Sequence, residues 1–361
     1  MHSARRPILI AVRGLDPVGT GRQVELLAQG LAAGGREVHV AITSAGGGIA
    51  ARLRAGGIAV HELGRRPLPD VAAAARLAAL ARRLRPRALV SFGRRQAAMT
   101  PLARLAVPGL RTVLHAAVPV GTARQSRVLR TADAVVAASD EVAESCRRHG
   151  VAERRLVTVP PGIVADTAGA LPREIVAERL GLDPACEWTL SVTPLVADAR
   201  LERLVWGIDQ LGVVRRGMQH VLVGGGPQRR RVLRRARVQE LAERLFVFPQ
   251  CPILPALLGQ IVYAWQSGET PFGGAILDAM AWGVPAVAVA SGSARQLVAS
   301  GETGWIVPAD PESEFPRRAF TLLEAPDTLA RFGAAARRRA AEVFPIDRMV
   351  AGFAAAIDAV A

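Results

Sequence analysis

The chain has 361 residues, half of them hydrophobic and only 4% aromatic, and its net charge of +15 rests on 46 basic residues that are all arginine. That length suits two domains of ordinary size, and Ala, Val and Leu must build their cores. No apolar run is long enough to span a bilayer, and Cys146, Cys186 and Cys251 are scattered without metal-ligand spacing, so a reduced, cytoplasmic protein is expected.

The N-terminus, MHSARRPILIAVRG, reads into a first strand rather than a signal peptide. Strands are predicted at 8–12, 38–43, 59–62, 88–91, 112–115, 134–138 and 156–159, with helices such as 22–33, 71–84 and 141–149 between them. Short apolar strands alternating with helices predict a parallel sheet covered on both faces, with ligands bound at the carboxyl ends of its strands. The first such end runs from Arg13 to Gly21, where Gly14, Gly19 and Gly21 let a backbone approach a ligand just before a helix. The same glycines also serve ordinary turn chemistry. Ser139 or Asp140 is placed to cap the helix that starts at Glu141.

Pro160-Pro161-Gly162-Ile163 marks the exit from the first domain, which spans 1–164. Residues 165–187 read as a linker carrying one amphipathic piece at 173–180. A second domain, 188–343, repeats the alternation, with strands at 188–192, 221–223, 245–248, 261–265 and 286–289, and 344–361 carries a last helix. The strand at 221–223 runs into Gly224-Gly225-Gly226-Pro227, glycines that suit a phosphate or base and, more commonly, a tight turn. After the strand at 261–265 comes a loop, then a helix expected to open at Phe272-Gly273-Gly274, with Ile276, Leu277, Met280 and Ala281 on one face and Gly283 as its stop. Unpaired N–H groups at such a helix start favour an anion such as a phosphate.

The densest basic runs are Arg229, Arg230, Arg231, Arg234, Arg235 and Arg237, and then Arg337, Arg338 and Arg339. The first group is expected to spread around more than one helix face, as a solvated or weakly membrane-steering surface. The sparse aromatics offer no stacking platform, which weighs against nucleic acid as a partner.

The stretch from Ser267 to Gly292 resembles the donor-sugar signature of the family-4 glycosyltransferases: a Glu, one residue, Phe-Gly, four residues, then Glu-Ala-Met-Ala-x-Gly-x-Pro. Phe272, Gly273, Ala279, Met280, Ala281, Gly283 and Pro285 match; Thr270 stands at the first Glu, with Glu269 one residue early, and Asp278 stands at the second. The likeness runs on through Gln23 to Leu27, Gly224 to Pro227 and Thr303 to Pro308. It implies an α/β chain of the GT-B class, with two Rossmann-like, doubly wound parallel-sheet domains facing a cleft.

The resemblance also implies a retaining transfer from a nucleotide-diphosphate sugar to a glycan or lipid acceptor, with no permanently bound cofactor and no metal. Partners are then the nucleotide sugar and the acceptor, to which the arginine-borne charge adds an anionic membrane surface that would put the protein at the inner membrane face. By this likeness Gly19, Gly21, Phe272, Gly273 and Gly274 address the diphosphate and Asp278 the ribose, while Glu269, Thr270 and His115 address the sugar. For His115 a core role, bonded to backbone, stands equally beside that one. The family's phosphate-binding Arg and Lys positions are Pro194 and Ala199 here, with Arg200 one residue off and expected to point about 100° away around a helix. Gln296 replaces a further Glu. Charge lost at several points of one ligand site admits a second reading, a non-catalytic protein that binds a sugar, nucleotide or partner.

Overall fold

The structure is a computed structural model and describes residues 6–15, 19–43, 47–64, 70–164 and 169–361. The chain divides into two units, Met1–Gly162 with Phe344–Ala361, and Ile163–Val343. The first unit contains β1 (Ile8–Val12), α1 (Thr20–Ala33), β2 (Val38–Ile42), α2 (Gly47–Ala55), β3 (Ala59–Glu62), α3 (Asp70–Leu84) and β4 (Ala88–Phe92). It continues with α4 (Arg94–Ala106), β5 (Arg111–Ala116), α5 (Ala123–Thr131), β6 (Ala134–Ala137), α6 (Asp140–Arg148) and β7 (Leu156–Thr158). Its sheet is parallel throughout, in the order β3-β2-β1-β4-β5-β6-β7, so the direction of winding reverses between β1 and β4. Every residue of β1, β4 and β6 is buried, which is why these strands read as unbroken apolar runs. Ser139 caps α6 by accepting from the Val142 N–H at 3.2 Å.

The second unit holds α7 (Arg173–Leu180), β8 (Glu187–Val192), α8 (Leu201–Val214), β9 (Met218–Val223), α9 (Arg229–Val238), β10 (Leu245–Phe248) and α10 (Leu254–Leu258). Then follow β11 (Ile261–Gln266), α11 (Ile276–Ala281), β12 (Ala286–Val289), α12 (Gly292–Leu297), β13 (Gly304–Val307), α13 (Glu314–Leu323) and α14 (Pro326–Val343). Its parallel sheet runs β10-β9-β8-β11-β12-β13, with the reversal between β8 and β11. Trp188, Tyr263 and Trp265 fill its core, and Phe315 meets Trp265 edge-on at 4.6 Å.

One expectation needs correction, and the two basic runs gain detail. Residues 169–187 are no free linker: Arg173 stacks on Trp188 at 3.7 Å and donates to the carbonyls of Pro184, Cys186 and Gln260, fastening α7 to the second unit. The remaining linker positions, 165–168, lie outside the described residues. In the second basic run Arg337 and Arg339 donate to the carbonyls of Ala281, Leu297 and Gln296 and so satisfy the C-terminal ends of α11 and α12, although Arg337 stays exposed. The six arginines of α9 spread around the helix as expected, though not evenly. Taking Val232 and Ala236 as the buried side, Arg230, Arg231, Arg234 and Arg237 fall within about 120° on the opposite side.

The last helix, α15 (Ile346–Asp358), belongs to the first unit although the chain reaches it from the second. It packs on α1, where Gly30 gives room to Val350, and Phe353 stacks on Phe92 at 5.5 Å. Asp358 closes the contact, accepting from Arg36 at 2.9 and 2.7 Å and from Arg87 at 3.0 Å. Near it, the buried Gln23 amide holds Gly162 by both its N–H and its C=O, at 2.9 and 2.8 Å.

Candidate functional site

In the second unit the carboxyl ends of β8 and β11 part at the reversal, and such a switch point is where open α/β sheets bind ligands. A small cavity lies there, with room for about one water. Ser191, Thr193, Gln266, Ser267 and Thr270 supply its polar wall, and Leu190, Trp265 and Ile276 its apolar floor.

Two loops meet above it. Ser267 Oγ donates to the Ala199 carbonyl at 2.7 Å and the Glu269 N–H to the Asp198 carbonyl at 3.0 Å, stitching the loop after β11 to the loop after β8. Gly224 and Gly226 press against the same β8 loop. A Cβ on Gly224 would stand 2.0 Å from the Thr193 oxygen, and one on Gly226 would stand 2.4 Å from that of Leu195. These glycines therefore serve the close approach of two backbones.

The segment expected to open a helix does something else. Phe272, Gly273 and Gly274 are all left-handed, with φ of 56°, 69° and 59°, and α11 begins only at Ile276. Consecutive left-handed residues cannot enter a right-handed helix. The kink brings Gly274 onto β8, where a Cβ would lie 2.1 Å from the Val192 oxygen, so only glycine fits. The N–H groups of Gly273 and Gly274 donate to the carbonyls of Thr270 and Pro271, and are not aimed at a phosphate. Asp278 sits half-buried in the first turn of α11, where a carboxylate also suits the helix dipole. Gly283, at φ 77°, ends that helix as expected.

The side chains expected to address a sugar are engaged elsewhere. The Glu269 carboxylate accepts from the Gly292 N–H at 2.9 Å and from Ser293 Oγ at 2.8 Å, holding the N-terminus of α12. Thr270 is buried, its hydroxyl 3.0 Å from that of Thr193. His115, at the end of β5 in the first unit, is only 4% exposed and stacks on Phe92 at 4.7 Å, with Phe353, itself stacked on Phe92, 5.7 Å away. Burial pushes its imidazole down to about 3, so it is neutral at physiological pH. This packing places His115 in the interior of the first unit. Gly19, at φ 59°, leads into α1, and Gly21 is buried in that helix's first turn; Asp16, Pro17 and Val18, in the same candidate loop, lie outside the described residues.

Arg200 differs from the expectation in a way that matters. It is not on a helix but in a left-handed bridge, φ 50° and ψ 49°, between the turn Ala197–Ala199 and α8. The stitching to Ser267 and Glu269 fixes that bridge, and its side chain is exposed, with no ion pair or hydrogen bond among the described residues. Pro194 is exposed and Ala199 buried, so neither can supply charge.

Sequence reasoning missed Gln266. Its Nε2 donates to the Gly268 carbonyl, Ser291 Oγ and Ser293 Oγ at 2.9, 3.2 and 3.0 Å, while its buried Oε1 has no hydrogen-bond partner. The contacts span 2 to 27 residues, beyond any local motif.

Comparison with known proteins settles the family. Residues 189–339 match the family described as "Glycosyl transferases group 1", and residues 17–167 match "Glycosyltransferase Family 4". The chain belongs to the family-4 glycosyltransferases. D-inositol 3-phosphate glycosyltransferase 2 of Catenulispora acidiphila is 30% identical over 239 residues, 62% of this chain and 56% of the relative. The chain thus spans about half the length of the curated relatives it matches. Anabaena HepE in complex with UDP-glucose aligns with a TM-score of 0.81 at 18% identity, covering 98% of this chain and 99% of HepE. Sucrose-phosphate synthase from Thermosynechococcus elongatus aligns at 0.78 and 18%, with 99% of both chains covered. These likenesses establish the GT-B fold of two Rossmann-like parallel-sheet domains. In this family-4 chain Glu269 and Thr270, at and beside the first Glu of the donor signature, are built into loop and cap contacts.

Proposed function

We propose that the protein transfers a glycosyl group from a nucleotide-diphosphate sugar, with retention, to a hydroxyl acceptor. Support comes from family membership and from the switch point between β8 and β11, whose two loops are tied together around an exposed, left-handed Arg200. In this reading Arg200 meets the diphosphate, whose charge grows as the bond to the anomeric carbon breaks. Asp278 accepts from the ribose diol, which suits a two-oxygen carboxylate. Glu269 and Thr270 shape the loop, and arginine supplies the positive charge in place of a metal. The relatives named as D-inositol 3-phosphate glycosyltransferases make a phosphorylated cyclitol the first acceptor to try, and the HepE complex makes UDP-glucose the first donor.

One observation favours a second reading, binding without turnover. Glu269 and Thr270 present their polar atoms to the protein itself, and His115 is a core residue. Calorimetric titration with UDP, GDP and ADP, repeated on Asp278→Ala and Arg200→Ala, separates the readings. The transferase reading expects micromolar binding of one nucleotide, weakened by both variants, and turnover reduced ~10²-fold or more by Arg200→Ala. Binding without turnover would establish the second reading, and no heat with any nucleotide would refute the transferase reading and turn the second toward a sugar or a partner as the ligand.

A further inference from the structure

The arginines of α9 do not balance any acidic neighbour. Among the described residues the side chains of Arg229, Arg230, Arg231, Arg234, Arg235 and Arg237 make no ion pair or hydrogen bond, although many other arginines, such as Arg36, Arg52, Arg147 and Arg215, do form ion pairs. Arg216, just past α8, is likewise exposed and unpaired. The carboxylates on these two helices and the turn after α9 are Glu202, Asp209, Glu240 and Glu243, fewer than the seven arginines, and Asp209 already accepts from Gln239 at 3.4 Å.

That contact has a second consequence. Together with the Arg244 side chain lying against Gly212, it holds the end of α9 beside the last turns of α8. Val238 closes α9 at 76% exposure, and Val213 and Val214 close α8 at 71% and 60%. On the helix surface Arg234 and Arg235 flank Val238 at the i−4 and i−3 positions. Valine is a poor residue for an exposed helix position, because its branched side chain loses rotamer freedom there. Three of them at one end, beside unpaired arginines, are unexplained by the stability of either helix.

We propose that this end of the second unit docks on an anionic lipid bilayer, with the valines entering the headgroup boundary and the arginines meeting lipid phosphates. Guanidinium groups on flexible stems can reach outward while the apolar tips sink, and cationic side chains near helix C-termini also suit the dipole. An exposed aromatic, which stacking on a nucleic acid would require, is missing from the large hydrophobics exposed among the described residues.

The test is co-sedimentation of the whole chain with vesicles of phosphatidylcholine alone and of phosphatidylcholine with phosphatidylglycerol. The wild type should partition onto the anionic vesicles only. Arg230→Gln, Arg234→Gln and Arg237→Gln combined should lower partitioning about a hundredfold, from roughly fivefold per arginine at a lipid surface. Val213→Ser, Val214→Ser and Val238→Ser combined should lower it about tenfold while leaving binding to heparin unchanged. A charge-matched variant of exposed arginines in the first unit, Arg124→Gln, Arg127→Gln and Arg154→Gln, should retain most of it, and tryptophan fluorescence verifies folding of each variant's second unit. Equal losses in the charge-matched variant would reduce the effect to bulk charge and overturn the proposal. Indifference to the valine changes, or preferential binding to single-stranded RNA, would overturn it in favour of a polyanion site.

Discussion

Lowering the pH should destabilise the second unit by way of one histidine. His220 lies in the middle of β9 with no exposed surface, its Nδ1 2.7 Å from Thr189 Oγ1 and its ring edge-on to Trp265 at 5.9 Å. Burial lowers its pKa from 6.5 to about 3, because the charged imidazolium would lose its hydration. The unfolded chain therefore binds a proton at a pH where the folded one does not. The contribution of neutral His220 is fully present above pH 6.5 and is lost as the pH falls from there toward about 3. At pH 5 the unfolded state gains ~2 kcal/mol relative to neutral pH, a sizeable part of a typical domain's 5–15 kcal/mol. All five tryptophans, from Trp188 to Trp305, lie in the second unit, so their fluorescence during urea unfolding reports on it alone. His220→Gln keeps a polar group beside Thr189 and cannot titrate. Its stability at pH 5 should fall ~2 kcal/mol less, relative to pH 7, than that of the wild type. Parallel losses in the two proteins would show that His220 does not govern the acid response, and the burial argument would fail.

Two other outcomes follow from the loops at the switch point. Gly274→Ala places a Cβ where the Val192 oxygen stands and forces a left-handed alanine, so the second unit should lose more than ~2 kcal/mol in the same urea assay. Glu269→Ala frees the N-terminus of α12 and should cost ~1 kcal/mol, as loss of a helix cap does, while nucleotide affinity measured by calorimetry stays within about twofold.

The strands were legible because they are short apolar runs whose burial on both faces leaves no alternation to confuse them, as in β1 and β12; β9 was read only from Val221, because Gln219 and His220 interrupt its apolar run. The family likeness was equally plain, carried by the matches from Phe272 to Pro285. The kink at Phe272 was not. A Phe-Gly-Gly run before an amphipathic stretch reads as a helix start, and the demand for a left-handed path comes from β8, about eighty residues earlier in the chain. The capping role of Glu269 was hidden for the same reason, since its partners Gly292 and Ser293 become neighbours only once β12 has paired with β11. Arg200 was misplaced by assuming a continuous helix where the two stitched loops impose a left-handed bridge. Local patterning located the elements; long-range backbone contacts assigned the polar side chains.

The position of α15 bears on how the chain is made. The first unit is assembled from two stretches of sequence separated by the whole of the second, and its last helix supplies Met349, Phe353 and Ile357 to its interior. While the ribosome is still synthesising the second unit, the nascent first sheet lacks the side chain that later stacks on Phe92 and the carboxylate that later joins Arg36 to Arg87. Domains generally mature in order of synthesis, but here the earlier one stays unfinished, with apolar surface open to chaperones, until residues 344–361 have emerged. Trimming those residues would accordingly weaken the unit at the far end of the chain and spare the one they directly follow.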